Sequence, residues 1–168
     1  EAGLQRLPQA LLATKRAFEP HAARLAQTIA ADSYHMFTAA GPMWPAANYY
    51  ATCILEEMQW IRTRPVHAAD FFHGPLELIE PGVSLILMRG EDAAAPLADR
   101  VAAFAPRYTD RFTVIDTAPH VPADVSPRLR ALLSPTFMAT MLERVSAHLE
   151  VIRNHPLTTR RYYKRVAY

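Results

Sequence analysis

The sequence predicts an α/β fold: a three-layer sandwich with a parallel sheet of about five strands and helices on both faces. Short apolar runs alternate along the chain with longer segments of helical periodicity, which is the pattern of parallel strands joined by crossover helices. The clearest runs stop at Gly41, Gly90 and Asp116, as buried strands do where they meet a turn. The 168 residues, 51% of them hydrophobic, are enough for one domain with a core.

Residues 4–31 predict two helices. Leucines recur there at helical spacing, and Pro20 breaks the run before it resumes at residue 22. Two interpretations stay open: a helical hairpin packed on the domain, or a linker that arrives from a preceding domain. We therefore divide the chain into N-terminal helices (1–31), an α/β domain (32–153) and a C-terminal tail (154–168).

The alternating elements between residues 32 and 153 follow from apolar runs and turn residues. A short apolar stretch around Leu132 stands apart from the last helix, after a proline-rich connection over 119–127. The predicted strands cover 34–41, 65–69, 83–88 and 111–116, and the predicted helices cover 46–61, 76–79, 94–105 and 137–153. Ligands bind such sheets outside the carboxyl ends of the strands, so we expect the site there.

Composition excludes several classes of protein. The single cysteine, Cys53, rules out a disulfide-stapled miniprotein and is compatible with a reducing, cytoplasmic compartment. A net charge of +2 favours neither nucleic acid nor an anionic membrane as a partner. No apolar run has the length of a membrane-spanning helix. The chain begins with Glu1 and not with Met, so we expect it to be part of a longer protein.

Acid–base chemistry is predicted from residues 53–80. A helix that carries Glu56 and Glu57 is followed by a strand that delivers His73 at its carboxyl end. Gly74 permits a tight turn and Pro75 suits a first helical position, which would place His73 in a crevice beside a helix N-terminus. A carboxylate across the same crevice could exchange protons with it. Alternatively, the glutamates are solvated and the histidine only caps a helix.

Other candidate sites are weaker. Histidine spacing indicates no metal site, and Cys53 lies in an apolar helix where a thiol stays protonated. The turn over 39–45 lacks the motifs that cradle phosphate, and Thr38 is its one nearby hydroxyl. Four large side chains of the helix predicted over 46–61 are expected in the core or an interface: Tyr49, Tyr50, Met58 and Trp60.

The tail over 154–168 interleaves basic and aromatic residues, a composition that can bind phosphate or stacked bases. Three interpretations stay open: a solvated terminus, a tail that folds over a partner subunit or an active site, and, least favoured, a nucleic-acid contact.

Three segments resemble the sugar isomerase (SIS) domain family: EEMQW at 56–60, AADFFHGPLE at 68–77 and RRYY at 160–163. Within it they are similar to the fructoselysine- and glucoselysine-6-phosphate deglycases, relatives of the isomerase part of glucosamine-6-phosphate synthase. The resemblance implies a flavodoxin-like SIS fold and the second of two tandem SIS domains. The synthase branch has a lysine where this chain has Ile54, which argues against the synthase reaction.

The resemblance also implies residue roles. Glu57 would move a proton between sugar carbons C1 and C2, and His73, sixteen residues later and often contributed across a dimer, would be the general acid. Substrate contacts would come from Arg160, Arg161, Tyr162 and Tyr163, and phosphate contacts mainly from hydroxyl-rich loops of a first SIS domain. The implied partners are a phosphosugar and a second copy of the chain, in a homodimer or higher homo-oligomer, with neither metal nor organic cofactor.

Three functions remain open at this point. The first is a deglycase that cleaves 6-phosphorylated Amadori compounds to glucose 6-phosphate and an amine. The second is an aldose–ketose isomerase or a deaminase of amino-sugar phosphates. The third is a phosphosugar-binding module without catalysis.

Overall fold

Four parallel strands form one sheet, in the order β2-β1-β3-β4, in a computed structural model that describes the backbone of residues 2–167 and the side chains of residues 4–167. The α/β prediction is confirmed, with four strands among the described residues where about five were expected. The stretch around Leu132 supplies no strand because it lies within the last helix. The strands are β1 (Tyr34–Ala39), β2 (Arg62–His67), β3 (Leu85–Arg89) and β4 (Phe112–Asp116).

Five α-helical segments surround the sheet. They are α1 (Ala2–Gln5), α2 (Leu7–Ala31), α3 (Trp44–Tyr49), α4 (Ala95–Phe104) and α5 (Pro127–Ile152), and 3₁₀ turns cover Gly41–Met43, Pro75–Leu78 and Ala105–Arg107. The segment Tyr50–Met58 continues α3 as a π-helix, a rare winding with i→i+5 hydrogen bonds that frequently occurs at functional sites. Over residues 2–167, none of these helices has the length and apolar character needed to span a membrane.

Both faces of the sheet are covered, which gives the three predicted layers. Successive strand side chains point to opposite faces. Phe37 and Ile86 therefore pack with α2, α3 and α5 in one cluster of buried residues. Met36 and Leu85 pack on the other face with Val101 of α4. The core thus lies on the two faces and leaves both ends of the strands free to form turns and a site.

The N-terminal segment was predicted as two helices, and this is wrong: α2 runs unbroken through Pro20. A proline inside a helix removes one hydrogen bond and crowds the preceding turn. Burial offsets this cost, because Phe18, Ala22 and Ile29 are fully or almost fully buried against the core. An ion pair adds to the α2–α5 contact, since both Nε and Nη2 of Arg144 donate to the carboxylate of Glu19, at 2.6 and 3.0 Å.

The last helix also differs from its prediction, because α5 begins ten residues earlier than expected and passes through Pro135. Ser126 is its N-cap, with the side-chain oxygen accepting the Leu129 N–H at 3.5 Å. The apolar stretch at Leu132 belongs to the first turns of this helix.

The helix after β1 ends at Met58, before the predicted residue 61, and β2 begins at Arg62 and not at residue 65. Trp60 stops the helix because its φ of 56° is left-handed. The Ile61 N–H then donates to the Leu55 carbonyl at 2.9 Å, which closes the turn into β2.

Candidate functional site

A cavity of about 900 Å³ opens beside the amino ends of β1 and β2. Four parts of the chain line it: Tyr34 at the start of β1, the end of the π-helix with the turn that follows, the first residues of β2, and tail residues 160–163. The register pairs Tyr34 with Arg62, so the two strand starts form one wall. The site was expected at the carboxyl ends of the strands, and this cavity lies at the opposite edge.

Glu57 is the carboxylate that meets the tail in this cavity. Nε of Arg160 lies 2.9 Å from Oε1 of Glu57, and the two side chains are 15% and 31% exposed. The Nε–H does not point along a hydrogen bond to that oxygen, so the contact is a charge pair. The structure therefore brings together Glu57 and the tail residues that the sequence singled out.

Glu56 is held differently from its neighbour. The backbone N–H of Thr63 donates to Oε1 of Glu56 at 3.1 Å, and the Thr63 hydroxyl donates to the same oxygen at 2.6 Å. Both bonds tie the end of the π-helix to the start of β2. Glu56 is thus bound to the fold by two hydrogen bonds, whereas Glu57 meets the tail in the cavity.

Trp60 was expected in the core or an interface, and it lies instead on the cavity wall. Its left-handed backbone directs the chain out of the helix. The ring meets His155 edge-on, with 4.5 Å between ring centroids. The guanidinium carbon of Arg161 lies 3.9 Å from the indole centroid, within the range of a cation–π contact. An aromatic residue just after the EEMQ segment, in a chain with an arginine-rich tail, was the available sequence signal.

The tail folds back over this cavity. Nε2 of Gln59 donates to the His155 carbonyl at 2.7 Å, and Nη1 of Arg153 donates to the Gln59 carbonyl at 2.9 Å. The Leu157 N–H donates to Oε1 of Glu150 at 3.0 Å. Of the open interpretations, the structure therefore supports a tail that folds over the site, here in its own chain. Tyr162 and Tyr163, 67% and 44% exposed, lie at the cavity rim.

His73 lies at the other edge of the sheet. It is exposed in the loop after the carboxyl end of β2, and its backbone N–H donates to the Asp70 carbonyl at 2.9 Å. The predicted turn is confirmed, since Gly74 has a φ of 121° and Pro75 begins a 3₁₀ turn. Strand β2 alone separates the two edges by about 16 Å, at roughly 3.3 Å per residue. The expectation that Glu57 and His73 share one crevice is wrong within a single chain.

The carboxyl ends of β1 and β3 are filled by protein. A Cβ added to Gly41 would lie 2.5 Å from Cβ of Ala94, and one added to Gly90 would lie 2.9 Å from both Met43 and Asp92. Thr38, the one hydroxyl near this turn, is fully buried. The two glycines are therefore closely packed, and the Thr38 hydroxyl is not available to a ligand at this turn.

The charge pattern of the cavity is mixed and favours polar ligands. Arg62, Arg160 and Arg161 line the cavity together with the two glutamates. Burial raises the pKa of Tyr34, an effect that the charge of Arg64 opposes. The Tyr34 phenol therefore stays protonated near neutral pH and can donate a hydrogen bond. Over the described residues, no group of three or more His, Cys, Asp or Glu side chains is placed to hold a metal ion.

The chain is similar to several curated proteins, all of them deglycases by name. It is 36% identical over 130 residues to the fructosamine deglycase FrlB of Bacillus subtilis (strain 168), an alignment that covers 77% of this chain and 40% of that protein. It is 30% identical over 160 residues to the fructoselysine 6-phosphate deglycase of Escherichia coli (strain K12), which covers 95% of this chain and 46% of that protein. No protein-family model matches the chain.

A crystal structure of a candidate phosphosugar isomerase from Bacillus subtilis has the same fold. It superposes on 99% of this chain and 51% of its own with a TM-score of 0.92, at 32% sequence identity. This chain spans about half the length of the proteins it matches. By its parallel sheet, its sequence and this superposition, the chain belongs to the sugar isomerase (SIS) domain family and resembles, within it, the proteins named as fructosamine and fructoselysine 6-phosphate deglycases.

Proposed function

We propose that this chain is part of a deglycase that cleaves 6-phosphorylated Amadori compounds to glucose 6-phosphate and an amine. One observation carries the proposal: a half-buried carboxylate, Glu57, faces a cavity of about 900 Å³ and is paired with a basic residue of the tail. Cavities of roughly 300–1,000 Å³ suit small molecules of this size. The names of the curated relatives support the same class of substrate.

The proposed reaction needs only proton transfers and water. Glu57 takes a proton from C1 of the open-chain ketose, which carries the amine on C1 and the carbonyl on C2. The electron pair forms a C1–C2 enaminol as the C2 oxygen is protonated. Return of a proton to C2 leaves an imine at C1. Water adds to that imine and the amine departs, which gives the aldehyde of glucose 6-phosphate without a metal or an organic cofactor.

We assign the second proton donor to His73 of another copy of the chain. Glu57 and His73 lie at opposite edges of the sheet, so one chain does not supply both groups to the same substrate. Two-fold pairing of identical chains is the commonest assembly, and it can set the amino edge of one sheet against a loop of its partner. The exposure of His73 supports such a role.

The phosphate ligands belong outside the described turns of this domain. The turn after β1 packs Gly41 against Ala94 and leaves the Thr38 hydroxyl buried, so we place the 6-phosphate at another binding site. We assign it to hydroxyl-rich loops of a preceding SIS domain, with Arg161, Tyr162 and Tyr163 contacting the substrate from the tail. The whole protein is expected in the cytoplasm, where phosphorylated sugars occur.

The test is turnover of a 6-phosphorylated Amadori compound by the full-length protein, followed as glucose 6-phosphate release. Glu57→Gln is expected to lower kcat by about 10³-fold, since removal of a general base costs roughly 10²–10⁴. Glu56→Gln is the matched comparison, because it removes an adjacent carboxylate that is bound to Thr63. Equal losses in the two variants would contradict the assignment of the base. Binding of the compound without any turnover would favour a phosphosugar-binding module.

A further inference from the structure

Arg160 is fixed on two sides in the folded tail. Its Nη1 donates to the carbonyls of Leu157 and Thr159, both at 2.8 Å, and its Nε lies 2.9 Å from Oε1 of Glu57. The side chain is only 15% exposed. Arg160 lines the cavity, but these contacts hold its guanidinium against the protein, whereas the resemblance implies a direct substrate contact for it.

The turn that follows Glu57 anchors the same tail. The Gln59 side chain donates to the His155 carbonyl, the Arg153 side chain donates to the Gln59 carbonyl, and Trp60 contacts His155. These anchors lie two and three residues after Glu57 in the sequence. The position of Arg160 and the position of the Glu57 backbone are therefore set by one structural unit, the turn with the docked tail.

The position of the Glu57 side chain depends on an ion pair with Arg160, whereas the Glu56 side chain is held by hydrogen bonds. Glu56 accepts two hydrogen bonds from Thr63. Among the described residues, no hydrogen bond is found to the Glu57 carboxylate, and Arg160 is the one cation within ion-pair distance of it. Without Arg160, the Glu57 side chain would be free to leave the geometry in which it faces C1 of a sugar.

We infer that Arg160 is a positioning residue, which holds the Glu57 carboxylate and makes its orientation depend on the docked tail. This rests on the proposed function for its catalytic consequence, and on the observed contacts for the holding itself. Misplacing a reacting group by about 1 Å can cost roughly 10²-fold in rate. Loss of the arginine should therefore lower kcat and leave substrate binding almost unchanged.

The kinetic test compares Arg160 variants of the full-length protein on a 6-phosphorylated Amadori compound. Arg160→Gln is expected to lower kcat by about 10- to 100-fold with KM changed less than about threefold. Arg160→Lys should recover part of the loss, and guanidinium chloride should reactivate Arg160→Ala more than equal sodium chloride does. Arg165→Gln, an exposed tail arginine away from the cavity, is the matched control. A rise in KM at unchanged kcat would show direct substrate binding and overturn the inference.

Hydrogen exchange tests the holding without any substrate. Glu57→Gln and Arg160→Gln should each speed exchange of the Leu157 and Thr159 amides, and the double variant should exchange no faster than the faster single variant. Additive effects would overturn the inference. If the effects of the two variants on exchange are not additive but the protein turns over no Amadori phosphate, the proposed function is wrong. The Glu57–Arg160 contact would still be supported.

Discussion

The two ends of the sheet differ in what occupies them. At the carboxyl ends of β1 and β3, the turns at Gly41 and Gly90 are so closely packed that a Cβ added to either glycine would lie within 2.9 Å of a side-chain atom. At the amino ends of β1 and β2, a large cavity is lined by charged and aromatic residues. Parallel sheets usually bind ligands at their carboxyl ends. In this domain the turns at these two strand ends are closely packed, and Glu57, the proposed general base, lies where the crossover helix returns to the sheet.

The largest expected effect comes from removing the proposed reactive group at one edge of the sheet in one variant and at the other edge in a second variant. Glu57→Gln and His73→Gln, each made in the full-length protein, are expected to lose about 10²–10⁴-fold in turnover. Mixed after reversible unfolding, the two inactive variants should regain about a quarter of the wild-type sites if chains pair at random as dimers. The reason is that a mixed dimer carries one site with both groups intact. The measurement is glucose 6-phosphate release by the mixture.

A double variant mixed with wild type is the control for this experiment, since it adds no complementing site. Failure of the mixture to recover, with mixed dimers detected by mass, would contradict the shared site. His67→Gln is the matched histidine, because its Nδ1 accepts the Ala69 N–H and has a structural role near the same loop.

A smaller effect is expected from adding a methyl group in the packed turn after β1. Gly41→Ala would force a left-handed φ of 53° on alanine and place its Cβ 2.5 Å from that of Ala94. We expect a loss of about 3 kcal/mol in the free energy of unfolding, from backbone strain and overpacking together. Gly82→Ala, with a φ of 88° and open space around it, should lose only about 1 kcal/mol through strain. Urea unfolding measures both, and equal losses would mean that the turn at Gly41 is not packed as described.

The smallest effect is expected at the Glu19–Arg144 ion pair, which joins α2 to α5. It serves as a comparison for the Glu57–Arg160 pair of the cavity. The hydrogen bond from Arg144 lowers the pKa of Glu19 from 4.5 to about 2, and a further bond involving His148 adds to this. The charged form is favoured by folding, so this stabilisation is present above pH 4.5 and is lost as pH falls toward 2. The side chain is 41% exposed, which keeps the effect modest.

Glu19→Gln should therefore be less stable than wild type at neutral pH, and the difference should shrink between pH 4.5 and 2. Thermal unfolding across that range measures it. A difference that stays constant with pH would contradict the role of the Glu19–Arg144 pair. Turnover at neutral pH should be unchanged in this variant, in contrast to Arg160→Gln, because Glu19 lies away from the cavity.

Much of the fold could be predicted because apolar runs carry it. Strands β3 and β4 begin within two residues of their predicted starts, and the α/β class follows from the alternation. The start of β2 was missed because its first residues, Arg62 and Thr63, are polar and border the cavity. Pro20 predicts a break because a proline disfavours the interior of a helix. The burial of α2 against α5 outweighs this conformational cost.

The candidate site was predictable in part. The resemblance singled out Glu57 and residues 160–163, which the fold brings together. The left-handed Trp60 has no signal in residue type, since tryptophan has no preference for that backbone. Glu57 and His73 are far apart because β2 runs between them, an order that the predicted elements already contained and that the expectation of one crevice did not use.

The π-helical winding of Tyr50–Met58 affects the direction of the Glu57 side chain, which the identity of the residue alone does not set. Neighbouring residues of an α-helix differ in direction by about 100°, so the winding of this segment helps to set which of the two adjacent glutamates meets Arg160. A segment with wider turns gives each residue a different direction from the one it would have in an α-helix. A change that rewound this segment would therefore turn Glu57 away from Arg160 while leaving every side chain of the site in the sequence. Inactivity in a related chain can thus arise from helical pitch, with all of its reactive groups retained.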